Sequence, residues 1–485
     1  MKHLNIGFVS TRFAGIDGVS LEASKWAEVF EQAGHNCFWF AGELDHDSEA
    51  YYLVPEAHFK HRSNEWIAER TLGETVRHPT VTQAIHDLRA SLKRELHRFI
   101  ERFHIDLLIA ENVLTIPMHI PLGLALTETI AETQLPTIAH HHDFFWERGR
   151  FSVNAVGDYI QMAFPPNLPN INHVVINSEA REQLALRTGI SATIIPNVLD
   201  FTQPPVAEPG GSQTFKQSIE LEPEDRIILQ PTRVVKRKGI EHAIELVKAL
   251  NDARYKLVIS HEAGDEGFEY VDWLMDKAQK QGVDLRFISS KVTDPLAVSS
   301  IEPAQGQISL WDIYPHADLV TFPSLYEGFG NAFLEAVFFK KPLLINRYTT
   351  FIRDIEPLGF DLAVMDGFLA QQTVQEVREL LESPVRREAA VNLNYDIAAH
   401  YFSYDLLRDQ INSLLKHQFG YQVNLLNGHS EMSQFQSKPA LNNYSWQKSF
   451  QNMDHRSQLN LIEDSASFIQ SNLHLKKGTG KQFQN

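Results

Sequence analysis

The sequence predicts an α/β protein made of two doubly wound parallel-sheet domains that face each other across a cleft. Short apolar runs alternate with longer amphipathic stretches over about the first 400 residues, which is typical of βαβ units. The chain has 485 residues, more than one hydrophobic core usually serves. A Pro- and Gly-rich segment at residues 202–213 separates two such series and is typical of a linker.

Each series contains at least five predicted strands. Those of the first series are 4–10, 36–42, 106–112, 136–142 and 173–178, with a helix at 20–34 between the first two. Those of the second series are 226–232, 255–260, 284–290, 318–324 and 342–346. Because ligands of such sheets bind at the carboxyl ends of the strands, the residues that follow strands are the candidate site residues.

The chain is therefore divided into four predicted parts. Residues 1–197 form the N-terminal domain and residues 198–399 the C-terminal domain. Residues 400–418 form a final helix. Residues 419–485 are rich in Asn, Gln and Ser, and we expect them to be a flexible tail because they cannot bury enough apolar surface to offset their chain entropy.

Composition excludes several classes of protein. Hydrophobic residues make up 43% and charged residues 22% of the chain, as in ordinary soluble proteins. The formal net charge of −17 argues against a nucleic-acid partner, since phosphates need clustered cations. The single cysteine, Cys37, excludes an intrachain disulfide and fits a reducing compartment. With no long apolar run at the N-terminus or elsewhere, the sequence predicts a cytoplasmic protein.

The segment LYEGFGNAFLEA (325–336) predicts an anion site flanked by carboxylates. We expect Asn331 to cap a helix at 332–340, after a turn made of Glu327, Gly328, Phe329 and Gly330. The N–H groups at the helix start attract an anion. Glu327 and Glu335 are then suited to accept hydrogen bonds from the hydroxyls of a ribose or a sugar, which points to a nucleotide sugar. The alternative is a tight turn with a buried capping glutamate.

A basic segment, PTRVVKRKGIEHAIELV (231–247), predicts the partner of that anion. Arg233 follows a strand and Lys238 precedes a helix, so the two cations can neutralise a diphosphate without a metal ion. We expect Lys236 and Arg237 to be solvated neighbours.

Together these motifs resemble the retaining glycosyltransferases of family 4, which have the two-domain GT-B fold. The family's E-x7-E element matches Glu327 and Glu335, its Arg and Lys pair matches Arg233 and Lys238, and IIPNVLD (194–200) is similar to its domain junction. The resemblance implies that Glu327 contacts the transferred sugar, Glu335 the ribose, and the two cations the diphosphate. It also implies that the final helix crosses back onto the first domain.

The resemblance extends to the N-terminal half. A glycine loop containing Gly18 is expected to meet the donor phosphate and the acceptor, and His142 a hydroxyl of the donor sugar. Asp17, Asp143 and Glu147 are candidate acceptor-binding residues, with local capping an equal alternative for Asp143 and Glu147.

Two other segments have competing interpretations. In IAHHHDFFWER (138–148), consecutive strand residues alternate between faces, so His140, His141 and His142 cannot all converge, and we predict no metal site and no cofactor. The helix at 85–103 has an apolar stripe beside a basic face. Packing on its own sheet is favoured there over contact with a membrane.

The predicted function is a retaining, metal-independent transfer of a hexose from a nucleotide-diphosphate sugar to a hydroxyl of a sugar, sugar acid or glycan. The alternatives are a nucleotide-sugar epimerase of the same fold and a non-catalytic protein that binds nucleotide sugars. The sequence does not indicate the nucleotide, the acceptor or the oligomeric state.

Overall fold

The computed structural model describes residues 3–15, 18–45, 48–202, 211–261, 268–289, 292–293 and 308–420. Its first sheet has seven parallel strands in the order β3-β2-β1-β4-β5-β6-β7. These strands are β1 (Asn5–Val9), β2 (Asn36–Ala41), β3 (Tyr51–Leu53), β4 (Leu107–Glu111), β5 (Thr137–His141), β6 (Ile171–Val175) and β7 (Ala192–Ile194).

The second large sheet has six parallel strands, in the order β10-β9-β8-β13-β14-β15. Its strands and a separate short pair, β11 with β12, are β8 (Arg226–Gln230), β9 (Tyr255–Ile259), β10 (Leu285–Phe287), β11 (Val292–Thr293), β12 (Ile308–Ser309), β13 (Leu319–Phe322), β14 (Leu343–Asn346) and β15 (Ala363–Met365). The predicted fold class is confirmed. The sequence missed β3, β7 and β15, which have three residues each, and the two-residue strands β11 and β12, because such short strands show no period.

Fourteen helices connect the strands of the described residues. They are α1 (Gly18–Gln32), α2 (Arg62–Ala68), α3 (Pro79–Phe103), α4 (Ile120–Thr133), α5 (Gly157–Ala163), α6 (Ser178–Thr188), α7 (Gly211–Ser218), α8 (Ile240–Leu250), α9 (Glu269–Gln281), α10 (Leu310–Ile313), α11 (Asn331–Phe338), α12 (Gln371–Glu382), α13 (Pro384–Tyr401) and α14 (Tyr404–Phe419).

The structure corrects the predicted linker and leaves the tail untested. Helix α7 begins at Gly211, inside the segment 202–213 that was predicted to be a linker. Residues 203–210 of the predicted linker lie outside the described residues. Of the predicted tail, 419–485, residues 421–485 also lie outside them.

The last helix packs against the first sheet. Leu407 and Ile411 of α14 are fully buried in the same apolar cluster as Ile6 of β1 and Trp26 of α1. The chain reaches this position through a break after α13, where Ser403 caps α14 by accepting a hydrogen bond from the Leu406 N–H. The apolar face of α14 therefore completes the core of the first sheet.

Part of the basic face of α3 is neutralised by carboxylates of α4. Arg89 lies 2.6 Å from Glu128 of α4, and Lys93 contacts both Glu128 and Glu132. The opposite side of α3 packs on the sheet through buried residues such as Leu92. Among the described residues, no helix is long and apolar enough to cross a membrane.

The position of α14 gives a stability prediction. Leu407→Ala should lower the free energy of unfolding by about 2–5 kcal/mol, because it removes a fully buried side chain and leaves a cavity between the helix and the first sheet. Ser413→Ala on the exposed face of the same helix is the control and should change little. Urea denaturation followed by circular dichroism measures both. Equal midpoints for the two variants would contradict the packing of α14.

Candidate active site

Residues at the carboxyl ends of the two sheets contact each other. The side-chain amide of Asn177, just after β6, donates to the Gly328 carbonyl at 2.6 Å. Asn197 donates to Asn331 Oδ1, also at 2.6 Å. Gly18 lies so close to Asn331 that a Cβ at position 18 would be 3.6 Å from its amide nitrogen. The glycine loop of the first sheet and the start of α11 therefore face the same space.

The turn before α11 has a backbone that only glycine adopts easily. Gly330 has φ of 113°, and a Cβ there would lie 2.7 Å from the Tyr348 hydroxyl and 2.8 Å from the Phe322 ring. Gly330, rather than Asn331, is the N-cap of α11, which corrects the predicted cap. Asn331 begins the helix, and its side-chain oxygen accepts from Asn197 instead.

Side chains from the segment after β14 hold this turn in place. The Tyr348 hydroxyl donates to the Phe329 carbonyl at 2.6 Å, and the Thr350 hydroxyl donates to the Glu327 carbonyl at 3.1 Å. Asn346 donates to the Ser324 carbonyl at 2.9 Å. The turn is thus rigid before any ligand arrives, which is the condition for a preorganised site.

Glu327 is the centre of a charged cluster. Its carboxylate contacts Lys238 Nζ and lies 3.1 Å from a guanidinium nitrogen of Arg237. Arg237 also donates to the Tyr326 carbonyl at 3.2 Å. The prediction that Arg237 is a solvated neighbour is therefore wrong, whereas Lys236 is exposed. The difference arises because Lys236–Lys238 form a 3-10 turn, which directs residues 237 and 238 toward the loop after β13.

Burial and neighbouring charges set the ionisation of this cluster. Burial alone would raise the pKa of Glu327, but the charges of Lys238 and Arg237 outweigh it and lower that pKa. Burial lowers the pKa of Lys238, with Glu327 opposing. His261, just after β9, has a pKa lowered to about 4 by burial and by the charges of Lys238 and Arg233. The cations after β8 thus create a positive field at this edge of the sheet.

Glu335 lies one turn into α11 and is oriented by a buried tyrosine. The hydroxyl of Tyr314 donates to its carboxylate at 2.6 Å. Burial and the charge of Glu335 raise the pKa of Tyr314, so the phenol stays protonated and remains a donor. The two glutamates of the motif therefore have different partners: cations for Glu327 and a neutral phenol for Glu335.

The predicted acceptor-side residues lie across from this turn. Asp143 accepts a hydrogen bond from Asn112 at 3.0 Å and contacts Arg148. Glu147 accepts a hydrogen bond from the Phe144 N–H at 2.9 Å, which is the local capping role that was the alternative for this residue. It also accepts a hydrogen bond from the hydroxyl of Tyr326 across the cleft. Asp17 lies outside the described residues.

Three side chains at the end of β4 and β5 have the composition of a metal site. Glu111, His140 and His142 place one ligand atom each within 4.8 Å of one another. Successive side chains of a strand point to opposite faces of the sheet, so His141 lies away from this cluster, with its Nε2 2.9 Å from Nδ1 of His173. His140 and His142 lie on the same face. Each oxygen of Glu111 lies near one imidazole nitrogen, at 3.0 Å for His140 and 3.3 Å for His142. These contacts satisfy both oxygens of Glu111 by hydrogen bonding, and the absence of a metal ion stays a prediction.

Sequence reasoning missed several residues of the site. Glu111 had a detectable signal, since it is the one carboxylate in the otherwise apolar strand LLIAE (107–111) and it ends that strand. Asn177 has the signature of an N-cap before α6, and its oxygen does accept from the Ala180 N–H. Nothing in the local sequence indicates that Tyr314 reaches Glu335, because that contact depends on the packing of α11.

Comparison with known proteins identifies the family. A family model described as "Glycosyl transferases group 1" matches residues 303–396. A mannosylglucosylglycerate synthase of Petrotoga mobilis is 31% identical over 391 residues, covering 74% of this chain and 86% of the relative. The enzyme of the same name from Thermotoga maritima is 29% identical over 440 residues, covering 84% of this chain and 98% of the relative.

Solved structures give the fold. HepE of Anabaena in complex with UDP-glucose superimposes with a TM-score of 0.58 at 15% identity, covering 86% of this chain and all of HepE. A sucrose-phosphate synthase of Thermosynechococcus elongatus gives a TM-score of 0.60 at 14% identity, covering 86% of this chain and 99% of that chain. The two facing parallel sheets are those of the GT-B fold.

The matched region of the family model, residues 303–396, contains the segment at residues 325–336. The chain belongs to the group 1 glycosyltransferases, family 4, and is a glycosyltransferase with the GT-B fold.

Proposed function

We propose that this enzyme transfers a mannosyl group from a nucleotide-diphosphate mannose to a hydroxyl of glucosylglycerate, with retention of anomeric configuration and without a metal ion. The observation that carries the proposal is the cluster of Lys238, Arg237 and Glu327 at the start of α11. The two mannosylglucosylglycerate synthases, which are similar to this chain over most of their length, support the choice of sugar and acceptor.

The cations after β8 act on the leaving group. As the glycosidic bond breaks, negative charge grows on the departing nucleotide diphosphate. Lys238, Arg233 and the N–H groups that begin α11 stabilise this charge. The turn that precedes those N–H groups is held by Tyr348 and Thr350 before the reaction, and Lys238 is held by Glu327. Fixed cations of this kind supply the charge that a divalent ion supplies elsewhere, so no metal is required.

The same cluster orients the donor sugar. In the structure Lys238 is paired with Glu327, and a bound diphosphate competes for the lysine. Arg237 keeps the carboxylate ionised when this happens, so Glu327 remains an acceptor for hydroxyls of the transferred sugar. Glu335, oriented by Tyr314, accepts from the ribose hydroxyls.

Retention follows if the acceptor attacks from the face that the diphosphate leaves. The acceptor oxygen then bonds to the anomeric carbon while the bond to the diphosphate oxygen breaks, and that oxygen takes the acceptor's proton. His142 binds the donor sugar on the side of the first sheet. Asp143 and Glu147 line the acceptor side, where their carboxylates accept from acceptor hydroxyls.

A substrate screen tests the proposal directly. The purified protein is incubated with nucleotide-diphosphate mannose or glucose and with glucosylglycerate, glycerate or glucose, and products are identified by mass spectrometry and NMR. We expect mannosylglucosylglycerate with a retained anomeric configuration. An inverted product, or no transfer from any donor, would overturn the proposal. Conversion of the donor to its epimer without an acceptor would instead identify an epimerase.

Removing one cation should affect turnover more than donor affinity. Lys238→Ala or Arg233→Ala should lower kcat about 100-fold or more, because the benefit of these charges grows as the leaving group becomes charged. Donor affinity, measured by calorimetry, should fall less than kcat. Activity should persist in EDTA. Loss of activity in EDTA that Mn²⁺ restores would contradict the metal-independent mechanism.

Adjacent residues in the basic segment should behave differently. Arg237→Ala removes a charge-assisted hydrogen bond to Glu327 and should lower kcat/KM about tenfold. Lys236→Ala is the matched control, since its side chain is exposed and the substitution should leave kcat/KM unchanged. Equal effects of the two substitutions in the transfer assay would show that the Arg237 contact has no catalytic role.

A further inference from the structure

Glu111 is a buried carboxylate whose partners, in the part of the chain that the structure describes, are two histidines. It is the last residue of β4, it is 0% exposed, and in the sheet register it lies opposite His140 of β5. Its oxygens meet His140 Nδ1 at 3.0 Å and His142 Nε2 at 3.3 Å. Burying a carboxylate costs free energy unless its oxygens accept hydrogen bonds, and the two imidazoles donate those hydrogen bonds.

The chemistry of the contact fixes which nitrogen of His142 carries hydrogen. Burial would raise the pKa of Glu111, but its two histidines outweigh this and lower the pKa well below its usual range. An ionised carboxylate only accepts hydrogen bonds, so His142 must donate from Nε2. Nδ1 is then the ring nitrogen that remains for a ligand.

The backbone of His142 is fixed by the neighbouring strand end. Its N–H donates to Asn112 Oδ1 at 3.1 Å. Asn112 follows Glu111 with φ of 54°, a left-handed conformation that asparagine tolerates, and this turn aims its side chain at β5. A Cβ on Gly328 would lie 3.3 Å from the His142 carbonyl, so His142 borders the donor turn.

The other charges around His142 are paired already. Glu22 of α1 lies 2.5 Å from Lys25, Asp143 contacts Arg148, and Glu327 of the facing loop is balanced by Lys238 and Arg237. His140 shares Glu111 and packs against the ring of Trp26 at 4.6 Å. Glu111 is therefore the acidic partner that contacts the His142 ring in the described structure.

We propose that Glu111 is a positioning residue of the transferase, which holds the His142 ring by accepting from Nε2 so that Nδ1 faces the donor sugar. The inference rests on the proposed function, because it takes His142 as a contact of that sugar. It adds a residue that does not touch substrate and acts only through another side chain. Carboxylate partners orient histidines in the same way at other enzyme sites.

The test replaces Glu111 and follows both the reaction and the His142 ring. Glu111→Leu removes the acceptor at similar volume and should lower kcat about 10- to 100-fold with little change in the acceptor KM. Glu111→Gln keeps one acceptor oxygen and should restore part of the loss. If Glu111→Leu does not fold, Glu111→Asp, whose carboxylate is one methylene shorter, should show the same loss of kcat.

The ring state is read by NMR of protein labelled with ¹⁵N-histidine, with His142 assigned from a His142→Asn variant. Burial would lower the pKa of His142, but Glu111 outweighs it and raises that pKa, so the spectra are recorded at a pH above it. We then expect the Nε2–H form in the wild-type protein and a mixture of tautomers in Glu111→Leu. His173→Gln, which alters the buried pair with His141 on the other side of β5, is the matched control and should change neither kcat nor the His142 signals.

Three results would overturn the proposal: unchanged kcat in Glu111→Leu or in Glu111→Asp, an unchanged tautomer in Glu111→Leu, or a stoichiometric metal ion in the purified protein that Glu111→Gln abolishes. The last result would show that Glu111 serves an ion. Failure of the proposed function can be distinguished from failure of this inference. The NMR signals report on the Glu111–His142 contact even if His142→Asn leaves transfer unaffected.

Discussion

The ion pair between Lys238 and Glu327 is the constraint on which the donor side of the cleft depends. Both side chains are about 10% exposed, and buried charges of this kind are costly unless they are paired and hydrogen-bonded. Arg237 supplies the second cation, so the cluster keeps a net positive charge. In a protein with a formal net charge of −17, that local excess is what makes the edge of this sheet attractive to a diphosphate.

Backbone geometry converts this charge cluster into a site. Gly330 admits the close approach of Tyr348 and Phe322, and the Tyr348 hydroxyl then fixes the Phe329 carbonyl. A larger residue at position 330 would push the turn away from Lys238. The same turn supplies the Gly328 carbonyl that Asn177 binds from the first sheet. One loop therefore sets both the donor geometry and the contact between the two halves of the cleft.

The sequence could predict the fold, and it singled out the segments proposed to bind the donor, because those features have local signatures. Alternating apolar and amphipathic segments predict the parallel sheets, and residues after strands predict the site edge. Contacts between distant elements have no such signature. The local sequence does not distinguish Arg237 from the other cations of its basic segment. The geometry of the turn is what brings it to Glu327. Glu111 contacts His142, which is 31 residues away in the chain, and Tyr314 contacts Glu335, which is 21 residues away.

The two sides of the cleft are joined by contacts of unequal strength. Where the chain passes between the two sheets, one apolar cluster contains Leu199, Phe201, Phe402 and Phe329. Exposing such buried apolar surface costs free energy. Near the acceptor residues the contacts are polar: Arg353 with Glu179 and Glu182, and Tyr326 with Glu147. Exposed pairs of this kind contribute about 0–1 kcal/mol each. The apolar contacts therefore contribute more to holding the two sheets together than the exposed polar contacts do.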